Sequence, residues 1–357
     1  MAASPTGAAP PPRIIASRYR EIGPLGNGLC GQTVRCFDIH EGDEVAVKLI
    51  DTFGGRIGQW DEARYLRQLT DPHILPIRNA LEDLGQPILV TEIAEGGTVD
   101  DRLQQGGGLF PLEAIDWVRH ACLGLHRAHS DGLLHNDVKP ANLFLTATAR
   151  CMVGDFGFAT LIDPTTGMAR VIGTTPATGS PEAITGALTG QPLASVTSDV
   201  YSIAATLYWL LAGVPPIPAG MTHQQARDFV VAGNVIPLKV VAPHLGDYTC
   251  RVVAKAMASD PNDRHQTATG LYADLGSART AEARGRQWHT VLTHPGHEKC
   301  WECPSLGAKQ ALRVCLLPVG SAYEIRAEHI SSNRRYRLRK TTNARKASDL
   351  RKMFKDV

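Results

Sequence analysis

Neither sign of charge dominates this chain of 357 residues: 37 Lys and Arg stand against 35 Asp and Glu, a formal net charge of +2. That balance removes any chain-wide electrostatic argument for binding nucleic acid or a membrane surface. No internal repeat is visible. The opening MAASPTGAAPPP has no basic start and no apolar stretch, so it does not read as a secretory signal and is expected to be a disordered tail over 1–17. One uncharged run is long, Val200 to Gly220, but Pro215, Pro216 and Pro218 stop a helix near Gly213. About 14 helical residues remain, or ~21 Å, too short for a bilayer core. The eight cysteines are scattered and lack a secretory context, so a disulfide framework is not expected. With 43% hydrophobic residues the chain can build a core, and its length suits two domains or one large domain with an appendage. A soluble, cytosolic protein without a membrane partner is the expectation.

The texture changes along the chain. From Tyr19 to about Val99 it is strand-rich: RYREIGPLGNGLCGQTVRCFDIH predicts two strands around glycines, DEVAVKLI a third and QPILVTEI another, with a helix over 59–69 between them. Beyond Gly96-Gly97 helices take over, at Leu112–His129, Val200–Ala212 and Tyr248–Ser259. Past about Leu275 a small, charged stretch leads into a third segment. The expected division is an N-terminal lobe at 18–98, a helical lobe at 99–280 and an accessory unit at 281–357.

Four groups of residues carry chemistry. Gly26, Gly28 and Gly31 form a GxGxxG between two strands, where missing side chains let backbone N–H groups approach phosphates. A dinucleotide site would place such glycines between a strand and a helix. Lys48 ends the alternating strand Val45-Ala46-Val47 and can reach the same phosphates; Glu62, on the helix that follows, is its expected counter-charge. In His135-Asn136-Asp137-Val138-Lys139-Pro140-Ala141-Asn142, a carboxylate orients an attacking hydroxyl, a lysine two residues on meets phosphate charge, and an amide five residues on can ligate Mg²⁺. Asp155-Phe156-Gly157 supplies a second metal ligand.

This order of motifs resembles the eukaryotic-type serine/threonine protein kinase family over roughly Tyr19 to Leu275. Ser180-Pro181-Glu182, Ser198-Asp199-Val200-Tyr201-Ser202 and Asp260-Pro261 with Arg264 extend the likeness. The resemblance implies an α+β, bilobal fold with ATP and Mg²⁺ as cofactors and protein substrates. It implies catalytic roles for Asp137, Lys139, Lys48 and Glu62, and metal ligation by Asn142 and Asp155. Nucleotide would be bound by Leu25, Gly26, Gly28, Gly31, Ala46, Lys48, Thr91, Glu92, Ala94 and Leu143, with Thr91 as gatekeeper and Glu92 to Ala94 as hinge. Glu182 would pair with Arg264, Asp199 would hold the catalytic-loop backbone, and Leu66, His135 and Phe156 would stack. Lys139, and Thr175 seven residues before Glu182, point to the serine/threonine branch. Small-molecule kinases share HxDxxxxN but lack a segment ending in SPE.

Three departures stand out: Asn136 in place of the arginine of HRD, Thr33 in place of valine, and Ser180 and Thr178 around APE. None removes a catalytic group. An active kinase is expected; the alternative is a nucleotide-binding pseudokinase scaffold whose basic C-terminal unit binds a partner or nucleic acid. Asn136 cannot make a bidentate pair with a phosphate, so phosphorylation of the 155–182 segment is not expected to be the main switch.

In the last segment Ala311–Val319, Tyr323–Ile330 and Arg334–Thr341 read as three strands and Asn343 as the cap of a final helix, a βββα unit. Its tail is basic, from Arg334 to Lys355, without an aromatic stacking pattern; nucleic acid is not an expected partner. His294, His297, Cys300 and Cys303 have the residue types of a zinc site, but four ligands within ten residues close a tetrahedron with difficulty. A loop packed around Trp301 is the plainer reading.

Overall fold

Alternation at period two builds the first part of the chain. The computed structural model describes residues 13–28, 31–50, 65–305 and 310–357. Its first strands are β1 (Ile14–Ile15), β2 (Tyr19–Gly28), β3 (Gly31–Asp38), β4 (Glu44–Ile50), β5 (Ile77–Asp83) and β6 (Gln86–Thr91). They form an antiparallel sheet in the order β1-β2-β3-β4-β6-β5. One face carries the core of Tyr19, Val34, Cys36, Val45, Val47, Leu49, Ile88 and Val90. Each such side chain removed from water stabilises the sheet by about 1.5–3 kcal/mol. Strand β1, inside the 1–17 stretch expected to be a disordered tail, pairs with β2 and buries Ile15 in the sheet's core. Strand β5 is likewise not among the strands read from the sequence. Its connection to β6, Leu84-Gly85, has φ of 50° and 81°, a primed hairpin turn without the Asn-Gly or Asp-Gly signal that usually marks one. The helix expected over 59–69 falls mostly in 51–64, outside the described residues.

The second part is helical, with α1 (Val99–Gln104) and α2 (Pro111–Ser130), then β7 (Leu133–Leu134), β8 (Leu143–Leu145), β9 (Cys151–Val153) and β10 (Thr160–Leu161) as two short ribbons, β8 with β9 and β7 with β10. There follow α3 (Pro181–Thr189), α4 (Val196–Ala212), α5 (His223–Val231), α6 (Leu238–Val241), α7 (Asp247–Ala256) and α8 (Ala268–Glu282). Helix α4 is buried along almost its whole length, which explains why Asp199 is its one charged residue. It starts four residues before Val200 because Ser195 and Ser198 form a reciprocal capping box, and it ends at Gly213. No helix among the described residues is long and apolar enough to cross a membrane.

The last segment holds five strands rather than three: β11 (His289–Val291), β12 (Lys299–Cys303), β13 (Leu312–Val319), β14 (Ala322–His329) and β15 (Arg335–Thr341), antiparallel in chain order, followed by α9 (Lys346–Asp356). The two extra strands are short and rich in His, Cys and Trp, so neither shows a clean polar–apolar alternation. Trp288, Trp301, Cys303, Val314, Leu316, Ile325, Leu350 and Met353 form the core on one face. Edge strand β15 is mostly exposed and carries arginines at Arg335, Arg337 and Arg339, a charge pattern that discourages pairing with another edge.

The chain divides into two compact units, one of residues up to Thr70 with Leu75–Ile93, the other of Asp71–Ile74 with Ala94–Val357. The division falls at Ile93–Ala94 where the sequence suggested 98/99. Residues 281–357 belong to the same unit as the helices. The contact is intimate: Gly108 N donates to Thr290 O at 2.9 Å, and the Phe110 and His289 rings lie 4.1 Å apart. Gly107, at φ +92°, passes so near that a Cβ there would stand 2.7 Å from Thr290 O. Lys299 Nζ donates to Val241 O at 2.7 Å, and Arg351 pairs with Asp247.

Candidate active site

The first unit sorts its predicted site residues by strand face. On β4 the core takes Val45, Val47 and Leu49, so Ala46 and Lys48 point to the opposite face. In register, Ala46 lies against Thr91 and Lys48 against Leu89 on β6, while Thr33 lies against Lys48 on β3. Ala46, Lys48, Thr91 and Thr33 therefore share one face. Gly26 and Gly28 pair with Thr33 and Gly31 across the β2–β3 hairpin, whose connecting residues lie outside those described. Leu25 sits half-exposed at the irregularity between Pro24 and Gly26. Glu92 follows β6. Lys48 is 7% exposed, so its ammonium requires a counter-charge; its expected partner, Glu62, lies outside the described residues.

The second unit brings Asp137, Lys139, Asn142 and Thr175 to one carboxylate. Asp137 is 2% exposed. Its Oδ1 accepts from Thr175 Oγ1 at 2.7 Å. Its Oδ2 accepts from Lys139 Nζ at 2.7 Å and from Asn142 Nδ2 at 3.1 Å. Lys139 Nζ also reaches Thr175 Oγ1 at 3.2 Å. Asn142 Nδ2 donates to Asp137 O at 2.7 Å, which leaves the amide oxygen as its ligand atom. Gly154 N donates to Asn142 O at 2.9 Å and ties that residue to the turn bearing Asp155. Asp155 itself has φ 60° and ψ 64°, a left-handed conformation that costs an L-residue roughly 1–2 kcal/mol and is sustained by its surroundings. An amide oxygen and a carboxylate are hard donors suited to a divalent cation that prefers oxygen. Ala94 and Leu143 lie in this unit too, Leu143 fully buried.

The loop carrying Asp137 is held from beneath. Asp199, 1% exposed on α4, accepts from the backbone of His135 and Asn136, each at 2.9 Å, and from His129 Nε2 at 2.8 Å. Burial pushes the Asp199 carboxyl up, but the His129 bond and the neighbouring histidines outweigh it and hold it below its ordinary value. His135 donates from Nε2 to Gly154 O at 2.9 Å and packs on Phe156 at 4.7 Å between ring centroids. Leu66, the third member expected in that stack, is buried in the first unit.

Asn136 is buried rather than facing outward. At φ 65°, a region asparagine tolerates, it donates from Nδ2 to Phe158 O at 3.0 Å and to Thr160 Oγ1 at 2.8 Å. Farther along, Ser180 caps α3 by accepting from Ala183 N, which accounts for serine where the family has alanine. Glu182 and Arg264 form a two-pronged pair at 2.7 and 2.9 Å, and Ser198 Oγ adds a bond to Glu182 at 2.7 Å. Burial raises the Glu182 carboxyl, but the Arg264 guanidinium more than offsets this and keeps it below 4.5.

Sequence reasoning missed His129 as an anchor of Asp199 and missed the inward bonds of Asn136. Position in the last turn of α2 was the one available signal for the former. Part of the basic tail is paired within the chain: Arg337 with Asp356, Arg339 with Asp349 and Asp356, Arg345 with Asp349, and Lys346 with Glu298.

Residues 19–273 match the family described as Protein kinase domain. The chain is 32% identical over 288 residues to the serine/threonine-protein kinase PknB of Mycobacterium leprae, covering 74% of this chain and 43% of that protein. It is 32% identical over 308 residues to PknB of Mycolicibacterium smegmatis, covering 79% and 46%. With a probable serine/threonine-protein kinase PknB of Corynebacterium glutamicum it shares 30% over 308 residues, covering 82% and 46%. The chain thus spans less than half the length of these relatives.

Proposed function

The chain belongs to the protein kinase family, and from that premise we propose that it transfers the γ-phosphoryl of ATP to serine or threonine hydroxyls of protein substrates. The observation that carries this reading is the Asp137 carboxylate, gripped on one oxygen by Thr175 and on the other by Lys139 and Asn142. Two donors occupy Oδ2 and one occupies Oδ1. A carboxylate oxygen offers about two lone-pair sites, so Oδ1 keeps a place for a second donor. On this reading the substrate hydroxyl donates there and is aligned as its oxygen attacks the γ-phosphorus; the bond from that phosphorus to the β–γ bridging oxygen breaks, ADP leaves, and the hydroxyl proton passes to Oδ1. Lys139, already bonded to Oδ2, brings a fixed cation to the transferring group. Asn142 and Asp155 would hold Mg²⁺, which neutralises phosphate charge. Gly26, Gly28 and Gly31 offer backbone N–H groups to phosphates, and Lys48 adds a cation. Ala46, Thr91, Leu25, Glu92, Ala94 and Leu143 would contact the base. On this reading the reaction is a cytoplasmic one, drawing on cytoplasmic ATP.

The test is radiolabelled ATP with a generic protein acceptor. Asp137→Asn keeps the shape and removes the base; the expected loss is about 10²–10⁴-fold. Asp155→Asn should abolish labelling while far-UV circular dichroism is unchanged. Equal labelling by wild type and either variant refutes the proposal, and ATP binding without transfer in the wild type supports the scaffold alternative.

A further inference from the structure

Among the described residues, four potential metal ligands converge in the C-terminal sheet, and they are not the four that sequence spacing picks out. His294, His297, Cys300 and Cys315 bring one ligand atom each to within 4.8 Å of one another. Cys303 is excluded by strand geometry. Successive side chains on β12 point to opposite faces, so Cys303, three residues from Cys300, turns with Trp301 into the core. Cys300 faces the other way. Directly across the ladder its partner is Cys315 on β13, likewise on the face opposite the core of Leu312, Val314 and Leu316.

The two histidines come from a turn built for the purpose. His294-Pro295-Gly296-His297 closes with His297 N donating to His294 O at 3.0 Å. Proline at the second position and Gly296 at φ +78° at the third fit a type II turn, which requires the positive φ. The imidazoles at its two ends aim Nδ1 at Cys300 Sγ, 3.1 Å from His294 and 3.3 Å from His297. Cys315 Sγ lies 3.1 Å from Cys300 Sγ and 3.9 Å from His294 Nδ1. Zinc bonds of about 2.3 Å to sulfur and 2.0–2.1 Å to nitrogen give a tetrahedron with edges of roughly 3.3–3.8 Å. The three histidine–cysteine edges given differ from these by roughly 0.5 Å or less, the sulfur–sulfur edge would lengthen by about 0.6 Å, and the remaining edges, within 4.8 Å, would contract by roughly 1.5 Å at most. Both cysteines are almost completely buried, and the histidines cover them from the solvent side.

We propose that His294, His297, Cys300 and Cys315 bind one structural Zn²⁺. Two thiolates neutralise the dication, and soft sulfur with imidazole in a tetrahedral set favours zinc over magnesium or calcium. All four positions come from the protein, so the site has no open place for a substrate and serves stability rather than catalysis. Its placement says what it stabilises. The loop it fastens joins Thr290, which accepts from Gly108 N, to Lys299, which donates to Val241 O. The ion thereby clamps the stretch of β-sheet that docks on the helices.

Metal analysis of the full-length chain, purified without chelators, should give about one zinc per chain. Cys315→Ser and His294→Ala should lose it, and Cys303→Ala should retain it. Should the first two variants fail to fold, the wild type decides by cobalt substitution. Tetrahedral Co²⁺ with two thiolates gives visible d–d bands and a sulfur-to-cobalt charge-transfer band of two-thiolate intensity. Chelation should lower the melting temperature, and zinc should restore it. A chain that co-purifies without zinc and gives no such cobalt spectrum overturns the proposal. So does zinc lost with Cys303→Ala and kept with Cys315→Ser.

Discussion

Replacing Arg264 with leucine tests the brace beneath the segment from Asp155 to Glu182. The guanidinium is fully buried and makes five hydrogen bonds. Two go to Glu182, at 2.7 and 2.9 Å, and three go to the carbonyls of Ala258, Thr197 and Ser259 at 2.7, 3.0 and 3.0 Å. Removing one partner of a buried ion pair costs about 3–5 kcal/mol. The three carbonyls lose their donor as well, each about 1 kcal/mol when left bare. These losses overlap, so the expected total is about 4–6 kcal/mol, a large part of the roughly 5–15 kcal/mol that stabilises a domain. Urea unfolding followed by far-UV circular dichroism measures it. Arg264→Lys keeps the charge but not the fork and should fall between wild type and leucine. Arg264→Leu combined with Glu182→Leu should recover part of the loss, since no carboxylate is then stranded. There is a pH signature too. Glu182 is held below its ordinary 4.5 in the fold, so its contribution is complete above that value and is lost as pH falls through the folded one. The difference between wild type and Arg264→Leu should therefore shrink in acid. A loss below about 1 kcal/mol for Arg264→Leu, or strict additivity in the double variant, would refute the reasoning.

Other consequences can be checked independently. Asn136 bonds inward to Phe158 and Thr160, so phosphatase treatment should change the initial phosphorylation rate by less than about 3-fold, whereas a phosphate-dependent switch would change it by orders of magnitude. Asn136→Ala removes two buried bonds and should cost about 1–3 kcal/mol by urea unfolding; an unchanged midpoint counts against the role assigned to them. His244 is held to about 3 by burial, with Lys299, His289 and Arg351 adding repulsion. The unfolded chain binds its proton below 6.5 and the folded chain does not, so stability should fall by about 1.4 kcal/mol per pH unit from 6.5 towards 3, and His244→Leu should flatten that slope. A chain ending at Ala281 removes Glu282, which accepts from Gly246 N and Thr249 Oγ1, and uncovers Phe110 and His244; it should melt well below the full-length protein, and an equal melting temperature would show that residues 282–357 are dispensable to the fold.

The chemistry confined to short stretches was legible in the residues themselves. Asp137, Lys139 and Asn142 lie within six positions, and the bonds that Asn142 donates to Asp137 are local, so spacing alone brought them together. Alternation in Val45-Ala46-Val47-Lys48 likewise assigned Lys48 to the face away from the core, because period two is a property of any extended strand. What depends on chain segments far apart was not so encoded. His129 and Asp199 are seventy residues apart, and only helix packing sets their 2.8 Å bond. Asn136 read as a lost phosphate receptor; the turn at φ 65° determined that its amide would instead look inward to Thr160. The cysteines show the difference most sharply. Regular spacing favoured Cys303, but a register of paired strands exchanges it for Cys315, because a side chain's face is set by parity along its own strand and its neighbours by the ladder. No local pattern contains that ladder, and so tertiary structure alone chose which four ligands meet.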